Sequence, residues 1–265
     1  MAQLEQRRGL VLFVGLSYLL AWAWWVPLAL GGTTVAPGQG WPTHLVGLMA
    51  PSIAALVATG ATGGRSSVVD LLRRCVRWRF DRRVYWLVLA TAAIGALASM
   101  APGDVDWAGF GRYSGAPAWG PVTVLVVLVV NGFGEEIGWR GFLWDRLLPE
   151  RGFRDSAVVV WLVWGTWHLP LFWVVASYRD FAPIGVIGWV VSLFFGTVFL
   201  GWLYEFSGRS ILAVVLWHVV YNFAVATDGS SSWGSAVLSG AVVVAGLVIM
   251  RSGGRLPSRA PAEAG

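Results

Sequence analysis

Six polar side chains interrupt three apolar stretches of this chain, and their types are those that hydrolytic chemistry requires. They are Glu135, Glu136, Arg140, His168, His218 and Asn222. A carboxylate or an imidazole can activate water as a general base, and imidazole and amide groups can stabilise a developing oxyanion. Because ionisable groups inside a membrane segment are costly and mark functional sites by default, we take all six as candidate site residues.

Each of these groups also has a structural explanation. Glu135 and Glu136 could be ordinary charges at the end of an interfacial helix, and His168 could be a satisfied buried histidine. His218 and Asn222 could form a hydrogen bond between two helices. A similar depth of all three groups in the membrane would favour a shared site instead.

The composition is that of a polytopic membrane protein. Of 265 residues, 57% are hydrophobic and 12% are charged, which excludes an ordinary soluble domain. All 19 basic residues are arginines, and arginine-rich loops at the membrane surface explain the net charge of +5 better than nucleic-acid binding does. The single cysteine, Cys75, excludes an intramolecular disulfide and a multi-cysteine metal site.

Eight stretches are apolar enough to predict membrane-spanning helices, since a span needs roughly 20 apolar residues. They are residues 10–31, 43–62, 84–101, 118–136, 156–176, 182–204, 210–226 and 233–250. We therefore predict an all-α polytopic membrane protein with a single transmembrane domain over residues 1–250 and a motif core over 118–226. Residues 251–265, rich in Pro, Gly, Ser and Arg, are expected to form a disordered cytoplasmic tail.

The arginines predict how these helices are oriented. With both termini in the cytoplasm, sixteen arginines fall on the cytoplasmic side, only Arg112 and Arg179 fall outside, and Arg140 lies within the membrane. Cytoplasmic loops carry such an excess of basic residues. We expect an integral plasma-membrane protein with both termini cytoplasmic.

Helix depth brings the polar groups to one level. At 1.5 Å per residue, Glu135 lies about 24 Å from the outer helix end, and His168, His218 and Asn222 lie about 18, 12 and 18 Å from the cytoplasmic helix ends. These depths predict one polar site in the cytoplasmic half of the bundle. His44, at the outer start of the second segment, is expected to lie on the other side and to be incidental.

Spacing along the helices predicts which groups share a face. His218 and Asn222 are four residues apart and so project from one face, and Glu136 and Arg140 have the spacing of an intrahelical ion pair. Glu135 points about 100° away from Glu136, towards a different neighbour.

Gly188, Ser192 and Gly196 form a stripe of small residues in the sixth segment. Such a stripe lets another helix approach closely. We expect it to serve helix packing and not chemistry.

Three short motifs resemble those of the CAAX-protease and bacteriocin-processing family, also called Abi. EEIGWR, residues 135–140, fits the EExxxR motif, WHVVYN, residues 217–222, contains HxxxN, and WGTWH, residues 164–168, resembles FxxxH with tryptophan in place of phenylalanine. The family includes prenyl-protein endopeptidases and bacteriocin maturation and immunity proteins. The resemblance implies an endopeptidase of a bacterial plasma membrane. Its substrate would be a membrane-anchored, CAAX-like or bacteriocin-type peptide or protein.

The resemblance also implies roles for the six residues. Glu135 would be the general base that holds a water together with His168, and His218 and Asn222 would donate to the oxyanion. Glu136 and Arg140 would support the site.

A metal-dependent alternative stays open. Glu135, His168 and His218 resemble a set of two histidines and a glutamate that binds zinc, although the chain lacks the HExxH helix of soluble zinc proteases. We favour direct activation of water by the glutamate and histidine. No cofactor is required by this scheme, and a divalent metal such as zinc is the alternative.

Two other classes of function fit the same polar groups. An ion-coupled transporter could use them as a pathway, but we find no inverted repeat in the sequence. A non-catalytic immunity or scaffold protein is the other alternative, and the intact motifs argue against it.

Overall fold

A computed structural model of the protein describes residues 2–100 and 106–256, and its secondary structure is helical. The α-helices are α1 (Ala2–Leu30), α2 (Leu45–Leu48), α3 (Ala50–Cys75), α4 (Arg82–Met100), α5 (Pro121–Val127), α6 (Gly134–Gly138), α7 (Asp145–Trp167), α8 (Ala176–Arg179), α9 (Pro183–Phe206), α10 (Ile211–Val225) and α11 (Ser232–Arg251). Two π-helical turns, π1 (Leu128–Phe133) and π2 (Trp139–Trp144), flank α6, and 3₁₀ turns cover Ala108–Gly111 and Leu169–Trp173. The all-α prediction is confirmed.

Within the described residues, six helical stretches are long and apolar enough to cross a membrane. One of them, Pro121–Trp173, has 53 residues and breaks at Gly152, whose φ of 71° is readily adopted by glycine. The apolar helix α10 is shorter than the six, with 15 residues. Dividing the long stretch at Gly152 and counting α10 gives eight helical segments, and each of the eight predicted segments contains one of them. Helices suit lipid because they satisfy their own backbone hydrogen bonds.

Contacts between loops define two ends of the bundle. At the arginine-rich end, Arg74 forms an ion pair of 3.1 Å with Asp145, and Arg209 pairs with the same carboxylate. At the arginine-poor end, isolated β-bridges join Val35 to Val175, Pro37 to Ser114 and Tyr113 to Thr227. The helices alternate in direction between these ends, as the sequence predicts. Which end faces the cytoplasm stays a prediction.

The division into a membrane domain and a tail also stays a prediction. Arg251, where the tail was expected to begin, is the last residue of α11. Residues 257–265 lie outside the described residues.

Aromatic side chains pack α1 against the helices that carry the site. The ring of Phe13 lies 4.7 Å from that of Phe142 and 5.5 Å from that of Trp139, and the ring of Trp25 lies 4.6 Å from that of Trp167. All five side chains are fully buried. Aromatic pairs of this kind contribute about 0.5–1.5 kcal/mol each beyond the area they bury, so they hold the π2 turn in place.

Candidate active site

The two glutamates lie on the short helix α6, between the π1 and π2 turns. A π-helical turn contains an additional residue and therefore changes the direction of the side chains that follow, and such turns are frequent at functional sites. Glycine lets α6 lie close to its neighbours: a Cβ on Gly134 would be 2.8 Å from the carbonyl oxygen of Leu48, and one on Gly138 would be 2.5 Å from Pro51. Close packing against α2 and α3 thus fixes both carboxylates inside the bundle.

Glu135 is held by two hydrogen bonds and is 2% exposed. Asn131 Nδ2 donates to Oε1 at 3.2 Å, and Trp164 Nε1 donates to Oε2 at 2.7 Å. Asn131 also accepts a bond of 2.7 Å from Asn222 Nδ2. One network therefore joins the π1 turn, α6, α7 and α10. The indole at Trp164 supplies a donor that the phenylalanine of the family motif would lack.

His168 follows the last residue of α7 and lines the cavity. Its Nδ1 lies 2.7 Å from the backbone carbonyl oxygen of Trp164. A carbonyl oxygen can only accept, so Nδ1 donates and Nε2 is the acceptor in the neutral ring. The backbone of α7 thus fixes the tautomer of His168.

Glu136 connects His218 to Arg140. Its Oε1 lies 2.7 Å from His218 Nδ1 and 2.9 Å from Arg140 Nη1, and the side chains of Glu136 and Arg140 are completely buried. The guanidinium carbon of Arg140 lies 4.5 Å from the ring centroid of Trp164. The predicted ion pair is confirmed, and the same carboxylate also orients the imidazole of His218.

The four candidate catalytic side chains line one cavity of about 800 Å³. They are Glu135, His168, His218 and Asn222. The cavity continues to the arginine-poor end, where Tyr113, Ser114 and Asp228 belong to its lining, and no described residue of the arginine-rich loops lines it. Whether the site lies in the half of the bundle nearest the arginine-rich loops stays a prediction.

Short segments around the site show why depth cannot be counted along straight helices. Counting along straight helices assumed that α7 continues well beyond His168. Instead, α7 ends there, and a 3₁₀ turn leads to Val175, which is bridged to Val35 at the arginine-poor end. Helix α10 has only 15 residues, so Asn222 also lies close to that end.

His44 lines the same cavity as the four candidate catalytic residues and is 7% exposed. Its backbone carbonyl accepts a bond of 2.8 Å from Trp25 Nε1, which draws the start of α2 into the bundle. His44 was predicted to lie away from the polar site, and this prediction was wrong because His44 lines the same cavity. Sequence reasoning also missed Asn131, although its spacing of four residues from Glu135 could have indicated it.

The small-residue stripe of α9 faces the cavity instead of another helix. Gly188, Ser192 and Gly196 all line it, and a Cβ on either glycine would have nothing within 4 Å. The prediction of close helix packing along this stripe was wrong, because small residues leave space for a cavity as readily as for a helix.

The predicted metal ligands are not assembled. Across residues 2–100 and 106–256, no group of three His, Cys, Asp or Glu side chains is arranged to hold a metal ion. Both carboxylate oxygens of Glu135 already accept bonds from Asn131 and Trp164. Glu135, His168 and His218 are therefore not gathered as a three-ligand metal site in the part of the chain that the structure describes.

Comparison with known proteins agrees with the motifs. A sequence model described as Type II CAAX prenyl endopeptidase Rce1-like matches residues 117–224, which include all six candidate residues. The CAAX prenyl protease 2 of Methanococcus maripaludis is 24% identical over 189 residues, covering 67% of this chain and 69% of that protein. Both comparisons support the assignment to the CAAX-protease and bacteriocin-processing family that the motifs indicate. Together with the apolar helices, they support a membrane protease of the CAAX prenyl protease type.

Proposed function

We propose that the chain is an intramembrane endopeptidase that hydrolyses a peptide bond in a membrane-associated substrate. The observation that carries this proposal is the convergence of Glu135, His168, His218 and Asn222 on one cavity. A volume of about 800 Å³ lies within the range of ligand pockets. The substrate is a membrane-anchored peptide or protein of the CAAX-like or bacteriocin type.

Glu135 is the general base of the proposed reaction. It takes a proton from a water that is held between its carboxylate and Nε2 of His168, and the resulting hydroxide attacks the carbonyl carbon of the scissile bond. When the tetrahedral intermediate collapses, Glu135 returns the proton to the leaving amine. The products are a new carboxyl terminus and a new amino terminus.

His218 and Asn222 stabilise the oxyanion of that intermediate. The side-chain amide of Asn222 has two N–H donors, of which one is bonded to Asn131. Nε2 of His218 donates when the ring carries both protons. The site then holds two positive charges, on His218 and Arg140. The carboxylates of Glu135 and Glu136 balance them. Preorganised donors of this kind act strongly where water is excluded.

Peptide cleavage in a defined membrane tests this proposal. Purified protein in liposomes is incubated with a panel of membrane-anchored peptides, with and without a C-terminal prenyl group, and the products are identified by mass spectrometry. We expect cleavage at a defined bond by the wild type and none by Glu135→Ala. A folded wild type that cleaves no peptide, or cleavage that is equal in Glu135→Ala, would instead favour the immunity or scaffold class.

A further inference from the structure

A second cavity, of about 540 Å³, lies at the arginine-rich end of the bundle, away from the candidate active site. Its lining comes from the end of α3 and the segment that follows it, from the start of α7, and from the turn between α9 and α10. The lining residues are Asp70, Arg73, Arg74, Arg77, Asp145 and Arg209. Because these side chains are charged and four of them are arginines, the cavity has the chemistry of an anion-binding site.

The cavity holds more positive than negative charge. Four arginines and two aspartates line it, which leaves an excess of two positive charges. Asp70 lies 3.0 Å from Arg73. Asp145 is shared by two guanidinium groups, since it lies 3.1 Å from Arg74 and also pairs with Arg209. The carboxylates of the cavity therefore neutralise only part of its charge.

Arg77 supplies a guanidinium that has no carboxylate partner among the described residues. It donates to the backbone carbonyl of Gly208, and its own carbonyl oxygen accepts a bond of 2.6 Å from the hydroxyl of Ser210. These bonds fix the segment after α3 against the turn between α9 and α10. Burial and the like charges of Arg74 and Arg77 lower the pKa of Arg209, as expected where guanidinium groups are crowded without enough anions.

The cavity lies where membrane-spanning helices end. Two candidate spans end beside it, at Cys75 and at Phe206. The headgroups of a lipid bilayer lie at this level, just outside the hydrocarbon core. Leu72, Val76 and Trp78 are exposed apolar side chains of the same segment. Tryptophan is enriched at membrane interfaces and apolar faces of surface segments enter lipid, so this segment suits contact with the membrane surface.

We propose that this cavity binds the phosphate headgroup of an anionic phospholipid. Arginine presents a planar fork of donors that matches phosphate oxygens, and such charge-assisted bonds are stronger than neutral ones. Basic pockets between membrane helices bind anionic headgroups in this way. The excess positive charge favours a lipid with net negative charge over a zwitterionic one, whose cationic group would add to the repulsion. The described linings of the two cavities share no residue, so lipid binding here does not depend on peptide cleavage.

Native mass spectrometry of the purified protein tests this site. The protein in detergent is titrated with an equal mixture of phosphatidylglycerol and phosphatidylcholine and, in a separate arm, with inorganic phosphate. We expect one phosphatidylglycerol to be retained at concentrations at which phosphatidylcholine and phosphate are not. Equal retention of the two lipids, or saturable binding of inorganic phosphate without retention of phosphatidylglycerol, overturns the lipid site.

A charge-matched pair of variants locates the bound lipid. Arg77→Gln/Arg209→Gly removes two guanidinium groups from the cavity, and we expect retention of phosphatidylglycerol to weaken at least about tenfold. Arg65→Gln/Arg151→Gln removes the same charge from exposed arginines that do not line the cavity. Its retention should stay within about twofold of the wild type, because exposed charges at a distance are screened by salt. Equal weakening in both double variants would mean general surface attraction and would overturn the site.

Arg209→Gly alone keeps the test decisive if the double variant fails to fold. Arg209 has a φ of 66°, which glycine adopts readily, so the turn keeps its shape while the guanidinium is removed. We expect unchanged thermal unfolding in lipid-free detergent and retention of phosphatidylglycerol weakened at least about threefold. Wild-type retention by folded Arg209→Gly contradicts the assignment of the headgroup to this cavity.

Discussion

Replacement of Glu136 by glutamine tests how the buried charges position His218. Oε1 of Glu136 lies 2.7 Å from His218 Nδ1 and 2.9 Å from Arg140 Nη1, with no exposure of the carboxylate. Removing its charge leaves Arg140 unpaired in a dry region, which costs about 3–5 kcal/mol of stability. Loss of a well-oriented oxyanion donor at His218 lowers turnover by a factor of about 10²–10³.

A double variant separates these two effects. In Glu136→Gln/Arg140→Met both charges are gone, and replacing a whole buried pair is often neutral or stabilising. We therefore expect the double variant to regain most of the lost stability. Its turnover per folded molecule should stay about 10²–10³ below that of the wild type, since His218 still lacks its carboxylate partner.

Thermal unfolding in detergent measures the stability of each variant. Turnover per folded molecule in liposomes measures its catalytic rate. Glu205→Gln is the matched control, because this half-buried carboxylate does not line the cavity and, among the described residues, its side chain accepts one bond, of 3.3 Å, from Trp144 Nε1. Its turnover should be unchanged. The reasoning is refuted if Glu136→Gln turns over at the wild-type rate, or if the double variant is as unstable as the single one.

Three further predictions follow from the bundle and its packing. Reporter fusions at Gly115 and Gly265 should report opposite sides of the membrane, and the same side for both would contradict the alternating helices. Active protein treated with chelator and shown by metal analysis to be metal-free should keep its activity, and a stoichiometric zinc requirement would contradict the metal-free mechanism. Gly201→Ala should cost about 1–3 kcal/mol by overpacking against Trp144, whereas Gly188→Ala on the same helix should leave thermal stability unchanged or raised; equal destabilisation of both would contradict the observation that Gly188 faces the cavity.

The membrane environment explains why much of the fold could be predicted. A span must be apolar over roughly 20 residues, so the helices are readable from hydropathy alone. Spacing of four residues then gave correct neighbours: Glu136 pairs with Arg140, while His218 and Asn222 both reach the polypeptide stretch that carries Glu135. Their catalytic roles stay predictions.

The position of the site along the membrane normal could not be obtained in this way. Depth counting needs straight helices with known ends, and the π1 and π2 turns and the early end of α7 at His168 violate that assumption. The loop before α2 folds inwards through tertiary bonds such as Trp25 to His44, which no local pattern encodes. Whether small residues such as Gly188 face a helix or a cavity likewise depends on which elements lie opposite.

The most direct measurement of the central claim is the turnover of Glu135→Gln on a peptide that the wild type cleaves. Glutamine keeps the shape of the side chain and removes its basicity, and the variant is compared with the wild type per folded molecule. Loss of a positioned general base should lower turnover by a factor of about 10² or more. Near-normal turnover of folded Glu135→Gln would contradict the assignment of Glu135 as the base that activates water.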